Sequence, residues 1–421
     1  MSSSFTSARV RQAFSGSRLR ALAGAGCALL AGIAAVPAMA QDNSPIPIGM
    51  VMSKQGVFAD VGRDGARGAM MAIDDVGSKI NGRPVKLIWY DDPDPQSAQQ
   101  NTQKLIDNEK VVAIMGGTNS ASSLAESSVA KNSKIPVVIM TGSATELTGK
   151  SCNRYTFRTY YSAGVAARAL VPELIKKGKK WYFLAPNYAA GLDAYTGMKG
   201  QLDKMGGTEV GYDKLPVGTT DFSSFILKIR QANPDVVGFS FAGLDIDNFL
   251  KQWAQYGMKD KIPVGDPFLS ESSLWALDKD SATGTYAKIW QYTDPSLSPA
   301  EKKFAAAYRA KYNLPASMVA WEGWMSMRAI LDAISAGKST APASIVHQLE
   351  TLQWHDTKIP SYYRAWDHQF IHPLLIVNAR APKASDKYDL LDIEKSVPES
   401  AADIEKIFGT QAEVGCHMDS L

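Results

Sequence analysis

The sequence is poor in the side chains that carry most enzyme chemistry. Five histidines and three cysteines occur among 421 residues. All five histidines (His347, His355, His368, His372 and His417) fall near the C-terminus. No Gly-x-Ser-x-Gly elbow, Walker loop or Gly-x-Gly-x-x-Gly fingerprint follows an apolar run. His368 and His372 stand four apart, a ligand spacing on a helix, but Gln369-Phe370-Ile371 between them and Pro373 after them read as strand or turn. These shortages argue against a nucleophile-and-base enzyme and against a resident metal or other cofactor. An excess of one charge is also missing. The net charge is +3, and Arg9, Arg11, Arg18 and Arg20 lie in a stretch without acids, leaving 41 basic against 42 acidic residues. A neutral body has no footprint for nucleic acid. Hydrophobic content of 45% is that of an ordinary folded protein.

The N-terminus reads as a secretory leader over residues 1–40. A basic segment to Arg20 precedes an apolar run over 21–36, and Ala38-Met39-Ala40 forms a small-x-small cleavage site. The run falls short of the roughly 20 residues a spanning helix needs. Cys27 raises a lipoprotein alternative, weakened by Gly24 where a leucine is expected. Cleavage after Ala40 delivers a protein to the periplasm, and no later run is apolar enough to span a membrane. Two cysteines then remain, Cys152 and Cys416. In an oxidising compartment an even count favours a disulfide, with two free thiols as the alternative. Closing so long a loop is worth about 5 kcal/mol at most in the chain-entropy model.

Beyond the leader, short β-rich runs alternate with helical patterns. The strand candidates are 46–52, 85–90, 111–115, 137–140, 181–185, 236–241 and 262–264. Several are continuous apolar runs, as in parallel strands covered on both faces. Helical periodicity covers 65–76, 97–108, 222–231, 247–256 and 302–336. The alternation means βαβ units, and it occurs twice. The fold class is therefore α/β, with two doubly wound parallel-sheet lobes. Residues 44–160 form the first, to which about 285–355 return. Residues 161–284 form the second, to which about 356–380 return, and a polar, irregular tail runs over 381–421.

The polar strand ends carry the functional signal. Gly116-Gly117-Thr118-Asn119-Ser120 follows one apolar strand and opens a helix. Free N–H groups and outward hydroxyls at a helix start hold an anion without formal positive charge. The simpler alternative is that Asn119 or Ser120 only caps its own helix. Thr141-Gly142-Ser143 ends the next strand with the same chemistry. In the second lobe the strand ends are Pro186-Asn187-Tyr188-Ala189-Ala190-Gly191, Ala242-Gly243-Leu244-Asp245 and Gly265-Asp266-Pro267-Phe268. Asp91-Asp92-Pro93-Asp94-Pro95 reads as a turn and a helix cap rather than a catalytic pair.

The ordered set of motifs resembles a known family, the periplasmic solute-binding proteins of ABC importers in the leucine/isoleucine/valine-binding (type I) group. The matching residues include Ile48-Gly49-Met50-Val51, Asn81-Gly82-Arg83-Pro84-Val85, Tyr90-Asp91-Asp92-Pro93, Met115-Gly116-Gly117 with Ser120, and Ile135-Pro136-Val137. Phe157-Arg158-Thr159, Thr220-Asp221-Phe222-Ser223 and Asn233-Pro234-Asp235-Val236-Val237 continue the series. The resemblance implies a hinge of three crossings, the first near 159–161. It also implies that the carboxylate of a ligand is held at the positions of Ser120, Thr141 and Ser143. It implies a permease in the inner membrane as partner, a monomer, and no catalysis.

The other half of the implied pocket departs from the family. Ala190 stands where an aromatic is usual, with Tyr188 two residues earlier, and Ala242-Gly243 replaces a second aromatic. A glutamate that grips an α-ammonium falls about where Asp266 stands, and Asp266 is shorter. A buried ammonium without a partner costs several kcal/mol. The expected ligand is therefore a small hydrophobic or aromatic carboxylate, captured by domain closure, with Phe58, Tyr160, Tyr161 and Phe268 as apolar walls. The alternatives are a branched-chain or other apolar amino acid, or a binding module that feeds a sensor.

Overall fold

A computed structural model describes residues 43–241, 243–269, 271–277, 280–357 and 360–418. The expected leader, with Cys27 and the Ala40 cleavage site, and Ala242 lie outside the described residues.

The first lobe is built on a six-stranded sheet. Its order is Lys79–Ile80, Arg83–Tyr90, Ile46–Val51, Ala113–Gly116, Val137–Ile139, Thr156–Arg158. All pairs are parallel except Lys79–Ile80 with Arg83–Tyr90. The chain starts mid-sheet, adds one neighbour on one side and the next on the other. The carboxyl ends of Ile46–Val51 and Ala113–Gly116 thus flank a topological switch point, where ligands of such sheets bind. The second lobe has seven strands, ordered Leu391–Val397, Leu374–Ala379, Thr285–Lys288, Val264–Asp266, Val236–Phe239, Lys180–Pro186, Thr208–Leu215. Its switch point lies between Lys180–Pro186 and Val236–Phe239, which pair in parallel.

Three chain crossings join the lobes. The first follows strand Thr156–Arg158, where Thr159 Oγ1 lies 2.7 Å from Ser326 Oγ and 2.8 Å from Tyr363 Oη. The second follows Thr285–Lys288 and leads to helices Pro299–Tyr312 and Met318–Gly337, which pack on helix Ala59–Asp75 of the first lobe. The third lies at His372-Pro373, between strand Phe370–Ile371 and strand Leu374–Ala379.

Several boundaries differ from the expected ones. Thr285–Lys288 is a strand of the second sheet, so the return to the first lobe starts after it. A lysine hides this strand in the sequence; Lys288 is fully buried and paired with Glu271. Residues 361–371 stay with the first lobe rather than returning at 356. They form a small sheet with Gln353–Trp354, and Arg158 N–H donates to His368 O at 3.0 Å. The tail is not irregular throughout, since Leu391–Val397 is an edge strand of the second sheet. Its alternating polar residues, like those of Thr208–Leu215, belong to an edge that faces water on one side. His368 is a satisfied core residue, stacked on Phe157 with ring centroids 3.8 Å apart and with Nε2 2.8 Å from Glu350.

Two features fix the long helix Met318–Gly337. Residues 318–327 are buried all round, as expected of a helix enclosed by protein. It also meets helix Ala59–Asp75 backbone to backbone. A Cβ on Gly68 would stand 1.9 Å from Ala320 O, and one on Gly323 would stand 2.1 Å from Gly65 O. Cys152 and Cys416 are joined by a disulfide across 264 residues, with Cα atoms 5.7 Å apart. Helix Ile404–Phe408 of the tail packs on helix Ala163–Leu174 of the second lobe.

Candidate ligand-binding cleft

Both switch points open onto one cleft. The first lobe contributes Phe58 and Val61 after strand Ile46–Val51, Thr118, Asn119 and Ser120 after Ala113–Gly116, and Thr141 and Ser143 after Val137–Ile139. The second lobe contributes Tyr188 and Ala190, then Phe241, Gly243 and Ile246, then Phe268, Leu269 and Ser273. Tyr160 at the first crossing and Met318, Val319 and Glu322 at the start of the long helix complete the wall. Among the described lining residues there is no lysine, arginine or histidine.

The polar end is the loop before helix Ser120–Ser133. Gly117 turns it with φ +84, a conformation that side chains rarely adopt. Ser120 is buried, and its Oγ accepts from Ser143 N–H and Ala144 N–H, both at 3.1 Å. With its lone pairs taken by two amides, the hydroxyl proton is the group left to donate, and it sits at the helix N-terminus that favours anions. Ser143 brings a second hydroxyl, which no other described residue engages.

Not every expected anchor is free. Asn119 Oδ1 accepts from Ala121 N–H and Ser122 N–H at 3.1 Å, and its Nδ2 donates to Ser122 Oγ. Its side chain therefore caps the helix, as the simpler reading had it. Thr141 donates through both Oγ1 and N–H to Gly117 O, at 2.6 and 3.1 Å, so only its lone pairs face outward. Asp266 is withdrawn from the cleft altogether. It is fully buried, Oδ2 accepting from Phe241 N–H at 2.9 Å and Oδ1 from Phe268 N–H at 2.7 Å. The expected strand 262–264 left Asp266 in a loop; the strand runs Val264–Asp266, because Pro263 lacks the N–H to begin the ladder earlier. Tyr161 lies behind the wall, donating to Ala287 O at 2.8 Å, while Tyr160 donates to Tyr161 Oη at 2.9 Å and faces inward.

The sequence reading missed Glu322. It is fully buried and lines the cleft, and neither of its carboxyl oxygens has a hydrogen-bond partner. The signal was present: it is the single acid among Met, Trp, Ala and Gly over residues 317–331. The nearby polar groups are engaged elsewhere. Glu271 takes Lys288 on one oxygen and Met318 N–H, at 2.9 Å, on the other. Burial, and then the charge of Glu271, push the Glu322 carboxyl well above the usual range, with Lys288 opposing.

Two more acids lie beneath the polar end. Asp92 Oδ1 accepts from Ser122 Oγ at 2.6 Å, and Glu126 packs over Gly116. Burial raises Asp92 to about 7 against the hydrogen bonds of Ser122 and Thr118. Burial, and then Asp92, raise Glu126 well above its ordinary value. Burial likewise lifts Asp247 to about 7, with Lys251 opposing. Each group holds a proton in the folded state that the unfolded chain releases near pH 4. Their contribution is therefore fully present below about pH 4 and is lost progressively as pH rises from there through about 7. Without ligand, the protein should melt at a lower temperature at pH 8 than at pH 5, a difference on the order of a few kcal/mol. A Tm that rises across this interval would contradict these protonation states.

A two-lobed α/β scaffold with an uncharged notch of hydroxyls and amides and an apolar cleft at facing switch points is the architecture of a solute-binding protein. The chain belongs to the periplasmic binding protein family, whose profile residues 45–386 match. It is a periplasmic solute-binding protein, a non-enzymatic component. The family is extracytoplasmic, and among the described residues no helix is long and apolar enough to cross a membrane. A Leu/Ile/Val-binding protein homolog 8 of Brucella abortus is 28% identical over 335 residues, covering 76% of this chain and 83% of its own length. A periplasmic binding protein from Burkholderia mallei superposes with a TM-score of 0.81 at 25% identity, covering 88% of this chain and 98% of the other. A solute-binding protein of an ABC transporter from Rhodopseudomonas palustris, in complex with 3,4-dihydroxybenzoic acid, superposes with a TM-score of 0.76 at 23% identity, over 84% of this chain and 96% of the other.

Proposed function

We propose that this protein captures a small hydrophobic or aromatic carboxylate for import. The carboxylate sits at Ser120 and Ser143, and the second lobe closes over the apolar remainder. The observation that carries the choice of ligand is Asp266. Both its oxygens accept backbone N–H groups away from the cleft, so the residue expected to receive an α-ammonium does not meet the ligand. Phe58, Tyr160, Tyr188 and Phe268 give the space ring-sized apolar walls. The same fold holds 3,4-dihydroxybenzoic acid in the Rhodopseudomonas relative, so its scaffold accommodates a ring acid.

One observation favours a second reading, an apolar amino acid whose ammonium meets Glu322, in keeping with the Leu/Ile/Val-binding relatives. A thermal-shift screen of carboxylates with and without an α-amino group separates the two. Binding stabilises by mass action, about 2.7 kcal/mol at a hundred times Kd. Ring acids should raise the Tm and compact the protein in X-ray scattering. A rise with free amino acids alone would overturn the ring-acid reading.

A further inference from the structure

The cleft has one polar feature that a plain hydrophobic acid leaves unused. Glu322 is fully enclosed, faces the cleft, and neither oxygen has a partner among the described residues. Buried polar side chains are almost always hydrogen-bonded, and one left unpaired costs about 1–3 kcal/mol. No neighbour on the wall supplies the missing bond. Tyr160 donates to Tyr161, Tyr161 to Ala287 O, and Lys288 to Glu271 and Gln291. Met318 N–H is spent on Glu271. A polar group of the cargo can supply it from the cleft side.

We propose that Glu322 is a ligand-binding residue that receives the ring hydroxyl of a hydroxylated aromatic acid whose carboxylate lies at Ser120. This rests on the ring-acid reading above and specifies its cargo. A hydroxyl suits the site better than an ammonium. Lys288 is paired with Glu271, and burial together with the Glu271 charge holds Glu322 toward its neutral form against the pull of Lys288. A neutral carboxyl offers one donor and one acceptor, which is what a hydroxyl both accepts and gives. A ring bearing a carboxylate and a hydroxyl then has polar contacts at the notch and at Glu322, with apolar walls between. A site built to meet a hydroxyl discriminates strongly against the analogue without it, because its own polar group is then left unpaired.

The test is titration calorimetry of the full mature chain with benzoate and with 2-, 3- and 4-hydroxybenzoate. The best hydroxylated acid should bind wild type at least about tenfold tighter than benzoate. In Glu322→Leu that preference should fall to within about twofold while benzoate still binds, showing that the cleft is intact. Glu322→Gln, which keeps a donor and an acceptor, should retain most of the preference. If wild type binds benzoate as tightly as every hydroxylated acid, or if Glu322→Leu keeps the preference, the assignment is overturned. Failure of the broader reading looks different: no ring acid binds, an apolar amino acid does, and Glu322→Gln abolishes that binding.

Discussion

Ser120→Ala should weaken carboxylate binding about 10- to 100-fold and destabilise the unliganded protein in the same experiment. A hydrogen bond to a charged group is worth about 1.5–3 kcal/mol, and each 1.4 kcal/mol is a factor of ten in Kd. Ser120 is the buried hydroxyl whose geometry leaves its proton pointed away from two amides. Its removal takes away that donor. It also strips Ser143 N–H and Ala144 N–H of their acceptor, an orphaning that costs about 1–3 kcal/mol for a buried group. The paired readouts are calorimetry for affinity and urea unfolding for stability. A variant that loses stability but keeps full affinity would place the anion elsewhere in the cleft.

Gly68→Val should produce the largest loss of stability, about 3 kcal/mol or more. The new Cβ would meet Ala320 O at 1.9 Å and Trp324 N at 2.7 Å. Both are backbone atoms of the long helix, so no side chain can swing aside. That helix must move, and it carries Val319 and Glu322 into the cleft wall, so affinity should fall with stability. Gly200→Ala is the matching control. Gly200 lies inside helix Ala189–Lys204 with nothing within 4 Å of a new Cβ. It should gain about 0.5–1 kcal/mol from the lower helix cost of alanine. Equal urea midpoints for wild type and Gly68→Val would remove the close approach as a determinant of the fold.

The sequence made the switch-point loops visible for a local reason. An apolar strand followed by glycine and small hydroxyl residues is contiguous, and Ser120, Thr141, Ser143, Tyr188 and Ala190 all lie where such segments end. What those side chains do with their hydrogens was not visible. Asn119 and Thr141 are consumed by partners two to 24 residues away, and only the folded loop shows which atoms remain. Asp266 was misplaced by a strand boundary two residues off, which moved a buried carboxylate into a loop. Glu322 escaped because its significance is tertiary: an acid on an apolar helix has meaning only once its neighbours are seen to be engaged. The strand Thr285–Lys288 was hidden by a charge that the fold neutralises with a residue 17 positions earlier.

The tail has a mechanical consequence. It leaves the second lobe at helix Ile404–Phe408, where Arg168 holds Ile407 O, meets Arg364 of the first lobe at Gly409 O, and is joined by the disulfide to Cys152, which precedes that lobe's edge strand. The stretch that passes from lobe to lobe is therefore residues 407–409, and residues 410–415, most of them wound as the short helix Gln411–Val414, lie between two attachments to the first lobe. A wound residue advances about 1.5 Å and an extended one about 3.4 Å, so uncoiling this turn adds slack between the lobes only once the Arg364 bond has parted. The disulfide thus adds a covalent tie between the lobes beside the three crossings, made by residues that do not line the cleft.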